Sequence, residues 1–260
     1  MRASPHPVFG EGTLFGDVGF WYVGFSHHVF NLPPPAYARF VGISCEFLDS
    51  VAVLTWDDGE NRVNLDSLGR LNALLDELEQ SSGQLAVVLT GVGKFFSNGL
   101  DLERFANSPT EFADTLTALH RTVGRILIFP AYTVAAINGH CFAAGALLSC
   151  AFDYRVMRED RGYWCMNEAE IGLALDEKLW RILTNRLPRA TAIAAATTAR
   201  RYGGGSAREA GVVEAVAPGD NVIADALAYA AHYVGLDRSI LSAHKRLAHG
   251  DTARFLGFSA

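Results

Sequence analysis

Two glycine-bearing segments of the sequence have the residue types of a binding site for a negatively charged oxygen. Residues 94–102 (KFFSNGLDL) come soon after the apolar run LAVVLT, and residues 137–146 (INGHCFAAGA) continue the apolar run YTVAAI. Each segment leads from the carboxyl end of a buried strand toward a helix, where backbone N–H groups lack partners and can donate to an anion. Turns on neighbouring strands can direct two N–H groups at one oxygen. The sequence therefore predicts an oxyanion hole built from the backbone.

A carboxylate that could act together with such a hole lies in residues 166–173 (MNEAEIGL). Trp164, Met166 and Ile171 place apolar groups around Glu168, and low polarity raises the pKa of a carboxyl group toward neutral pH. A carboxylate with such a pKa can remove a proton beside a carbonyl group and return it to another carbon. Glu168 is therefore the predicted acid–base group.

Asp176 is a second candidate acid, eight residues after Glu168 in the run GLALD. Aspartate is also a favoured helix N-cap, and the sequence predicts a helix over residues 177–186. Both interpretations stay open: a helix cap, which we favour, or a residue that takes part in the reaction.

The elements that must hold these groups alternate between strand and helix. Apolar and β-branched residues around an Asp-Ser turn predict a hairpin over 45–55. Leucines at spacings of three and four predict an amphipathic helix over 64–80, capped by Asp66 or Ser67. Runs that are apolar on both faces predict buried strands over 85–90 and 132–137, with a helix over 110–128 between them. This order is typical of an α/β layered domain.

The C-terminal third is predicted to be mostly helical. Residues 206–209 (SARE) have the pattern of a helix capping box, and the three glycines at 203–205 before it are interpreted as a flexible turn. Two amphipathic helices are predicted over 220–234 and 236–249. We divide the chain into an N-terminal extension of unknown role (1–43), an α/β core (44–200) and a C-terminal helical region (201–260).

Composition excludes several classes of protein. The 260 residues carry 22 Lys and Arg against 28 Asp and Glu, a net charge of -6, which argues against a nucleic-acid binder. No apolar run is long enough for a membrane-spanning helix. The four cysteines form no CxxC pair and stand mostly in apolar context, so we expect buried thiols and no zinc site.

Three ordered motifs give the chain a family resemblance. The segments FFSNGLDL, INGHCFAAGALLSCAFDYRVM and MNEAEIGL resemble the crotonase (enoyl-CoA hydratase/isomerase) superfamily over about residues 44–250. The run DYRVMREDRG is most similar to the peroxisomal-type enoyl-CoA delta isomerase branch. The resemblance implies a spiral of ββα units followed by a C-terminal helical oligomerisation region, in a homotrimer or hexamer.

The resemblance also implies a reaction. It assigns the oxyanion N–H groups to Leu100 and Ala144, where Ala143-Ala144 replaces the common Gly-Gly and is tolerable if the turn needs no positive φ. Leu147 stands where hydratases of the family carry a first glutamate, and Glu168 matches the second. One carboxylate suits an isomerase that moves a double bond of an enoyl-CoA from position 3 to position 2. Asp176 keeps a dienoyl-CoA isomerase open, and the missing acid keeps an inactive acyl-CoA-binding scaffold open.

Substrate contacts follow from the same resemblance. The residues expected to bind the acyl-CoA are Phe96, Ser97, Gly99, Asp101, His140, Gly145 and Lys245, although packing is the simpler role for His140 and helix capping for Asp101. Lys245, and also Lys94, are candidates for the phosphates of coenzyme A. No cofactor is expected beyond the coenzyme A of the substrate, and no metal. The C-terminal Phe-Ser-Ala is not a peroxisomal signal, so the cytoplasm is the default location.

Overall fold

The computed structural model describes residues 41–259 apart from Asn107. Most of the N-terminal extension predicted over 1–43 therefore lies outside the described residues. Its strands are β1 (Gly42–Leu48), β2 (Val51–Asp57), β3 (Ala86–Gly91), β4 (Phe95–Ser97), β5 (Tyr132–Ile137), β6 (His140–Phe142), β7 (Tyr154–Arg158), β8 (Trp164–Cys165) and β9 (Ala215–Ala217). Its helices are α1 (Leu65–Gln80), α2 (Leu102–Phe105), α3 (Pro109–Leu127), α4 (Ala144–Ser149), α5 (Glu177–Arg186), α6 (Arg189–Thr198), α7 (Gly204–Glu209), α8 (Val222–His232) and α9 (Arg238–Phe255).

Two sheets carry the described strands. The larger has the order β1-β2-β3-β5-β7-β9, and the smaller has the order β4-β6-β8. β1 and β2 form an antiparallel hairpin, whereas the remaining pairs in both sheets are parallel. β3, β5 and β7 are each followed by a short strand of the small sheet and then by a helix. The predicted α/β fold of repeated ββα units is confirmed.

The large sheet is buried on both faces, as its apolar strands predict. Along β2, Ala52 and Leu54 pack in the core that contains α1 and α3, while Val51 and Val53 pack in a second core against α8. This alternation follows from the period of two in a strand. Because the strands from β2 to β9 in this sheet are parallel, their carboxyl ends lie at the same edge, where the segments that contain the glycine-bearing turns begin.

The predicted helix over 64–80 is confirmed, with one correction at its start. Its N-cap is Asn64, whose side chain accepts a hydrogen bond from the Ser67 N–H, while the Ser67 hydroxyl accepts one from the Asn64 N–H. Ser67 thus contributes to the capping box but is not the cap, and Asp66 lies in the first turn. Asn, Asp and Ser are nearly equivalent caps, so residue type alone does not choose among them.

The predictions for the three glycines and the capping box are wrong. Gly203 is the N-cap of α7, and Gly204 begins the helix, so Ser206 lies inside it. A Cβ at Gly204 would lie 2.8 Å from the Arg158 carbonyl oxygen and from the Glu159 Cα. Gly204 therefore serves close packing against the end of β7, which the local sequence does not reveal.

The C-terminal helices are present where the sequence predicts them, although their bounds differ. A short 3-10 turn (Gly219–Asn221) precedes α8, and α9 continues to Phe255, beyond the expected end at 249. Asp237 caps α9 through the backbone N–H groups of Ser239 and Ile240. The division of the chain at residue 200 stays a prediction.

Candidate active site

The first glycine-bearing turn follows β4 and leaves the Leu100 N–H turned away from its neighbours. On one side of this segment Val63 donates to the Gly99 carbonyl at 2.8 Å, and Asp101 donates to the Val63 carbonyl at 3.1 Å. Because successive amides of an extended segment point in opposite directions, the N–H of Leu100 faces the other side. Gly99 has a φ of 85°, in the left-handed region that glycine adopts readily.

The second turn ends at the start of α4 and contains a strained residue. Ala143 has φ 48° and ψ -117°, a backbone conformation that a side chain strongly disfavours. The tolerance expected for alanine here depended on a turn without positive φ, and that condition is not met. Ala144 is the first residue of α4, so its N–H lies among the unbonded donors of a helix start.

The two turns pack directly on each other through their small residues. A Cβ at Gly99 would lie 2.9 Å from the Ala143 Cβ and 3.5 Å from the Ala144 nitrogen. A Cβ at Gly145 would lie 2.6 Å from the Ser97 Cβ. Gly99 and Gly145 therefore permit the close approach of the two turns that carry Leu100 and Ala144.

Leu100 and Ala144 line one cavity of about 170 Å³, which also contains Glu168. Leu147 also forms part of its wall. The remaining wall is mostly apolar and comes from α3, α5 and the segment between β8 and α5: Phe112, Leu116, Leu119, Leu173, Ala174, Asp176 and Leu179.

Glu168 is held in this cavity by the turn that follows β8. Its carbonyl accepts a hydrogen bond from the Leu173 N–H at 2.9 Å, which closes the turn. The side chain is buried, and its Oε2 has no hydrogen-bond partner among the described residues. Burial raises the pKa of Glu168 to about 7, against a smaller opposing effect of a backbone hydrogen bond. The surroundings of Glu168 are apolar, but of the residues predicted to supply them Ile171 lines an adjoining cavity, whereas Trp164 and Met166 are buried in the core and line neither cavity. A carboxyl group with this pKa can exchange a proton near neutral pH.

A second cavity of about 170 Å³ adjoins the first and shares Leu100, Glu168 and Leu173 with it. Its other wall residues are more polar and include Arg62, Asn98 and Asn167. Arg62 forms an ion pair with Glu60 at 2.7 Å. Glu168 and Leu100 therefore lie between an apolar cavity and a more polar one.

Asp176 caps α5, as the favoured interpretation predicts, and it also lines the Glu168 cavity. Its Oδ1 accepts from the Leu179 N–H at 2.8 Å. Its Oδ2 lies 3.6 Å from Nε2 of His120, a buried residue of α3. Sequence reasoning missed His120, because a single histidine in an amphipathic helix carries no signal of a partner 56 residues away.

Several residues expected to bind substrate have other roles. Phe96 is packed in the core, and the Ser97 hydroxyl donates to the Asn61 carbonyl at 2.6 Å. Asp101 caps the short helix α2 and lines neither cavity beside Glu168. The His140 ring lies among Phe95, Phe142 and Tyr163, also away from these cavities, and the pKa of His140 is lowered by burial and by nearby cations.

The structure contradicts a phosphate-binding role for Lys245. Its Nζ is buried, pairs with Asp153 Oδ2 at 2.7 Å and donates to the Ala131 carbonyl at 3.2 Å. Burial lowers the pKa of Lys245, and Asp153 counteracts that effect. The lysine connects α9 to the core and does not extend from the surface.

The cysteines are mostly buried, as expected. Cys141, Cys150 and Cys165 are buried, whereas Cys45 is half-buried.

Comparison with known proteins places this chain in a family. The family model described as enoyl-CoA hydratase/isomerase matches residues 46–253. Among curated relatives, the peroxisomal enoyl-CoA delta isomerase 2 of Arabidopsis thaliana is 38% identical over 127 residues, which cover 46% of this chain and 53% of the relative. The chain thus spans about half the length of the Arabidopsis relatives that it matches.

Solved structures agree with this assignment. An enoyl-CoA isomerase of Mycobacterium tuberculosis is 29% identical with a TM-score of 0.76, and the match covers 83% of this chain and 94% of that one. The human mitochondrial delta3-delta2-enoyl-CoA isomerase is 27% identical with a TM-score of 0.76, covering 83% and 86%. None of the described helices has the length and apolar character to cross a membrane. By sequence and by fold, the chain belongs to the enoyl-CoA hydratase/isomerase family of crotonase-fold proteins.

Proposed function

We propose that this protein is an enoyl-CoA isomerase that moves a double bond from position 3 to position 2 of the acyl chain. The observation that carries the proposal is the Glu168 carboxylate, which is buried in one cavity with Leu100 and Ala144 and has a pKa of about 7. The names of the relatives support the same chemistry, since the Arabidopsis and human proteins are called enoyl-CoA delta isomerases.

The proposed reaction is a proton transfer within the bound thioester. Glu168 removes a proton from C2, the electrons of that C–H bond form the enolate, and the enolate oxygen accepts hydrogen bonds from the two N–H groups. The protonated Glu168 then returns the proton to C4, and the double bond moves from C3=C4 to C2=C3. Preorganised backbone donors typically contribute about 3–4 kcal/mol each to such a transition state. The reaction needs no cofactor beyond the coenzyme A of the substrate.

Leu147 supports isomerisation over hydration. Addition of water in this family is expected to use two glutamates, and the position of the first is a buried leucine in the cavity wall. An apolar wall also gives water few partners, which favours return of the proton to carbon. We assign the acyl chain to this apolar cavity and the coenzyme A side of the thioester to the adjoining cavity with Arg62, Asn98 and Asn167.

The test is turnover of a 3-enoyl-CoA, followed by the absorbance of the conjugated product, for the wild type and for Glu168→Gln. We expect the wild type to turn over and Glu168→Gln to lose about a thousandfold in kcat with substrate affinity kept. The matched control is Glu170→Gln, two residues away, because Glu170 is exposed and paired with Arg201. A wild type that binds acyl-CoA without turnover would support the inactive scaffold instead.

A dienoyl-CoA isomerase is the second candidate, and the presence of Asp176 in the Glu168 cavity favours it. In that reaction one carboxylate removes a proton from C2 of a 3,5-dienoyl thioester and the other delivers a proton to C6. The double bonds move to the 2,3 and 4,5 positions. Turnover of a 3,5-dienoyl-CoA by the wild type distinguishes this candidate from the single-glutamate reaction.

For assembly we propose a homotrimer or a pair of trimers, as the resemblance implies. Ile240 and Leu247 on α9 are 56% and 86% exposed, so this helix has apolar side chains available for a subunit contact. Light scattering during gel filtration is expected to give three or six subunit masses, and a monomer would contradict the proposal. The cytoplasm remains the proposed compartment, and a tagged protein found in peroxisomes or mitochondria would contradict it.

A further inference from the structure

The wall of the Glu168 cavity contains a second carboxylate that a single-glutamate shuttle does not use. Among the described residues that line this cavity, Glu168 and Asp176 are the two with titratable side chains, and the others are leucine, alanine and phenylalanine. The Asp176 side chain is 49% exposed, so solvent reaches its carboxylate while the residue also lines the cavity. A carboxylate at the edge of this cavity is open to a role beyond the helix that it caps.

The helix cap uses one of the two carboxylate oxygens of Asp176. Oδ1 accepts from the Leu179 N–H at 2.8 Å, which fixes that oxygen at the start of α5. Oδ2 lies 3.6 Å from His120 Nε2. With one oxygen fixed by the cap, a contact to the other oxygen settles the orientation of the whole carboxylate plane against the cavity.

His120 is suited to make that contact and has no other visible use for its Nε2. The side chain is 5% exposed, and Nε2 has no hydrogen-bond partner in the part of the chain that the structure describes. Because a buried polar atom without a partner is unfavourable, a shift that shortens the 3.6 Å separation to hydrogen-bond distance is favourable.

The charge state of His120 fits a donor to a carboxylate. Burial lowers the pKa of His120, Asp176 raises it, and Lys178 on α5 lowers it. A neutral imidazole with its proton on Nε2 can donate to Asp176 Oδ2 without carrying a charge into the apolar wall.

We propose that His120 is a positioning residue that orients the Asp176 carboxylate in the Glu168 cavity, so that Asp176 acts as a second acid–base group. The proposal rests on the proposed acyl-CoA isomerase function and extends it to a conjugated substrate. A proton leaves C2 of a 3,5-dienoyl thioester to one carboxylate and arrives at C6 from the other. His120 acts through Asp176 and does not touch the substrate.

The test compares turnover of 3,5-dienoyl-CoA and 3-enoyl-CoA by His120→Leu, His120→Gln and Asp176→Asn. Asn keeps the helix cap, and Gln keeps a side-chain N–H donor. We expect Asp176→Asn and His120→Leu to lose at least about tenfold more kcat on the dienoyl than on the enoyl substrate, with KM changed less than about threefold. His120→Gln is expected to lose less than His120→Leu. The double variant His120→Leu with Asp176→Asn is expected to be no worse than Asp176→Asn alone.

The matched control is His249→Gln, because His249 is a half-buried histidine of α9 that bonds to Asn185 away from the cavity. It is expected to change the melting temperature without changing the ratio of dienoyl to enoyl turnover. His120 variants that change only the melting temperature would overturn the proposal, as would a wild type that turns over 3-enoyl-CoA alone. Loss of both reactions in the wild type itself would instead contradict the proposed function.

Discussion

The carboxylates of Glu168, which is buried, and of Asp153, which is 14% exposed, have opposite surroundings. Asp153 Oδ2 accepts from the Thr133 N–H and hydroxyl, both at 2.9 Å, and pairs with Lys245 at 2.7 Å. Glu168 Oε2 lies in a cavity with no hydrogen-bond partner among the described residues, and burial raises its pKa to about 7.

This difference distinguishes a carboxylate that stabilises the fold from a carboxylate that can take part in a reaction. A carboxylate that is bonded to a lysine and to two further donors stabilises the fold through those contacts. A buried carboxylate without partners destabilises its charged form and keeps a lone pair free for a proton. A strained residue also lies close to Glu168, because Ala143, with a φ of 48°, lines the adjoining cavity together with it.

Removing one partner from the structural pair should give the largest change in stability. Lys245→Met leaves Asp153, which is 14% exposed, beside Thr133 without its counter-charge, and breaking a buried pair typically costs about 3–5 kcal/mol. Urea unfolding measures the loss. The control is Arg254→Met, since Arg254 pairs with Asp251 at an exposed position on the same helix. That change is expected to cost less than about 1 kcal/mol, and equal losses would contradict the comparison.

Removing the charge of Glu168 should have the opposite effect and increase the stability of the protein. Its folded pKa is raised from 4.5 to about 7, so its contribution to stability is fully present below pH 4.5 and is lost as the pH rises through 7. Glu168→Gln is therefore expected to be more stable than the wild type by about 3 kcal/mol above pH 8 and to lose that advantage below pH 5. Glu170→Gln is the control. A Glu168→Gln variant that is less stable at every pH would show that Glu168 is a structural acid.

Relieving the strained turn should give a smaller gain. Ala143→Gly removes the side chain from a residue with φ 48° and is expected to stabilise the protein by about 1 kcal/mol. Ala146→Gly, inside α4, is the control and is expected to cost about 1 kcal/mol or more. Thermal unfolding measures both. A loss of stability in Ala143→Gly would mean that the Ala143 methyl contributes more by packing than its backbone costs.

Most of the fold could be predicted from the sequence because its signals are local. The leucine spacing of α1 and the apolar run of β5 depend on periodicity within one segment, and the motifs around Leu100, Ala144 and Glu168 follow their strands directly. These segments lead to the same cavity because parallel strands end at a common edge.

The remainder could not be predicted because it depends on contacts between distant segments. Lys245 has the residue type of a phosphate-binding group, and its burial against Asp153 depends on how α9 packs. His120 faces Asp176 only after α3 and α5 have met. The positive φ of Ala143 contradicts the preference of alanine, and it is imposed by the packing of two turns rather than by the residue itself.

The dependence of kcat/KM on pH for 3-enoyl-CoA tests the role of Glu168 most directly. A carboxylate must be ionised to remove the C2 proton, so kcat/KM is expected to rise with pH through about 7, the pKa of Glu168. The rise should be absent in Glu168→Gln and unchanged in Glu170→Gln. A rate that is already at its plateau at about pH 5, as for an ordinary exposed carboxylate, would contradict the assignment of Glu168 as the base.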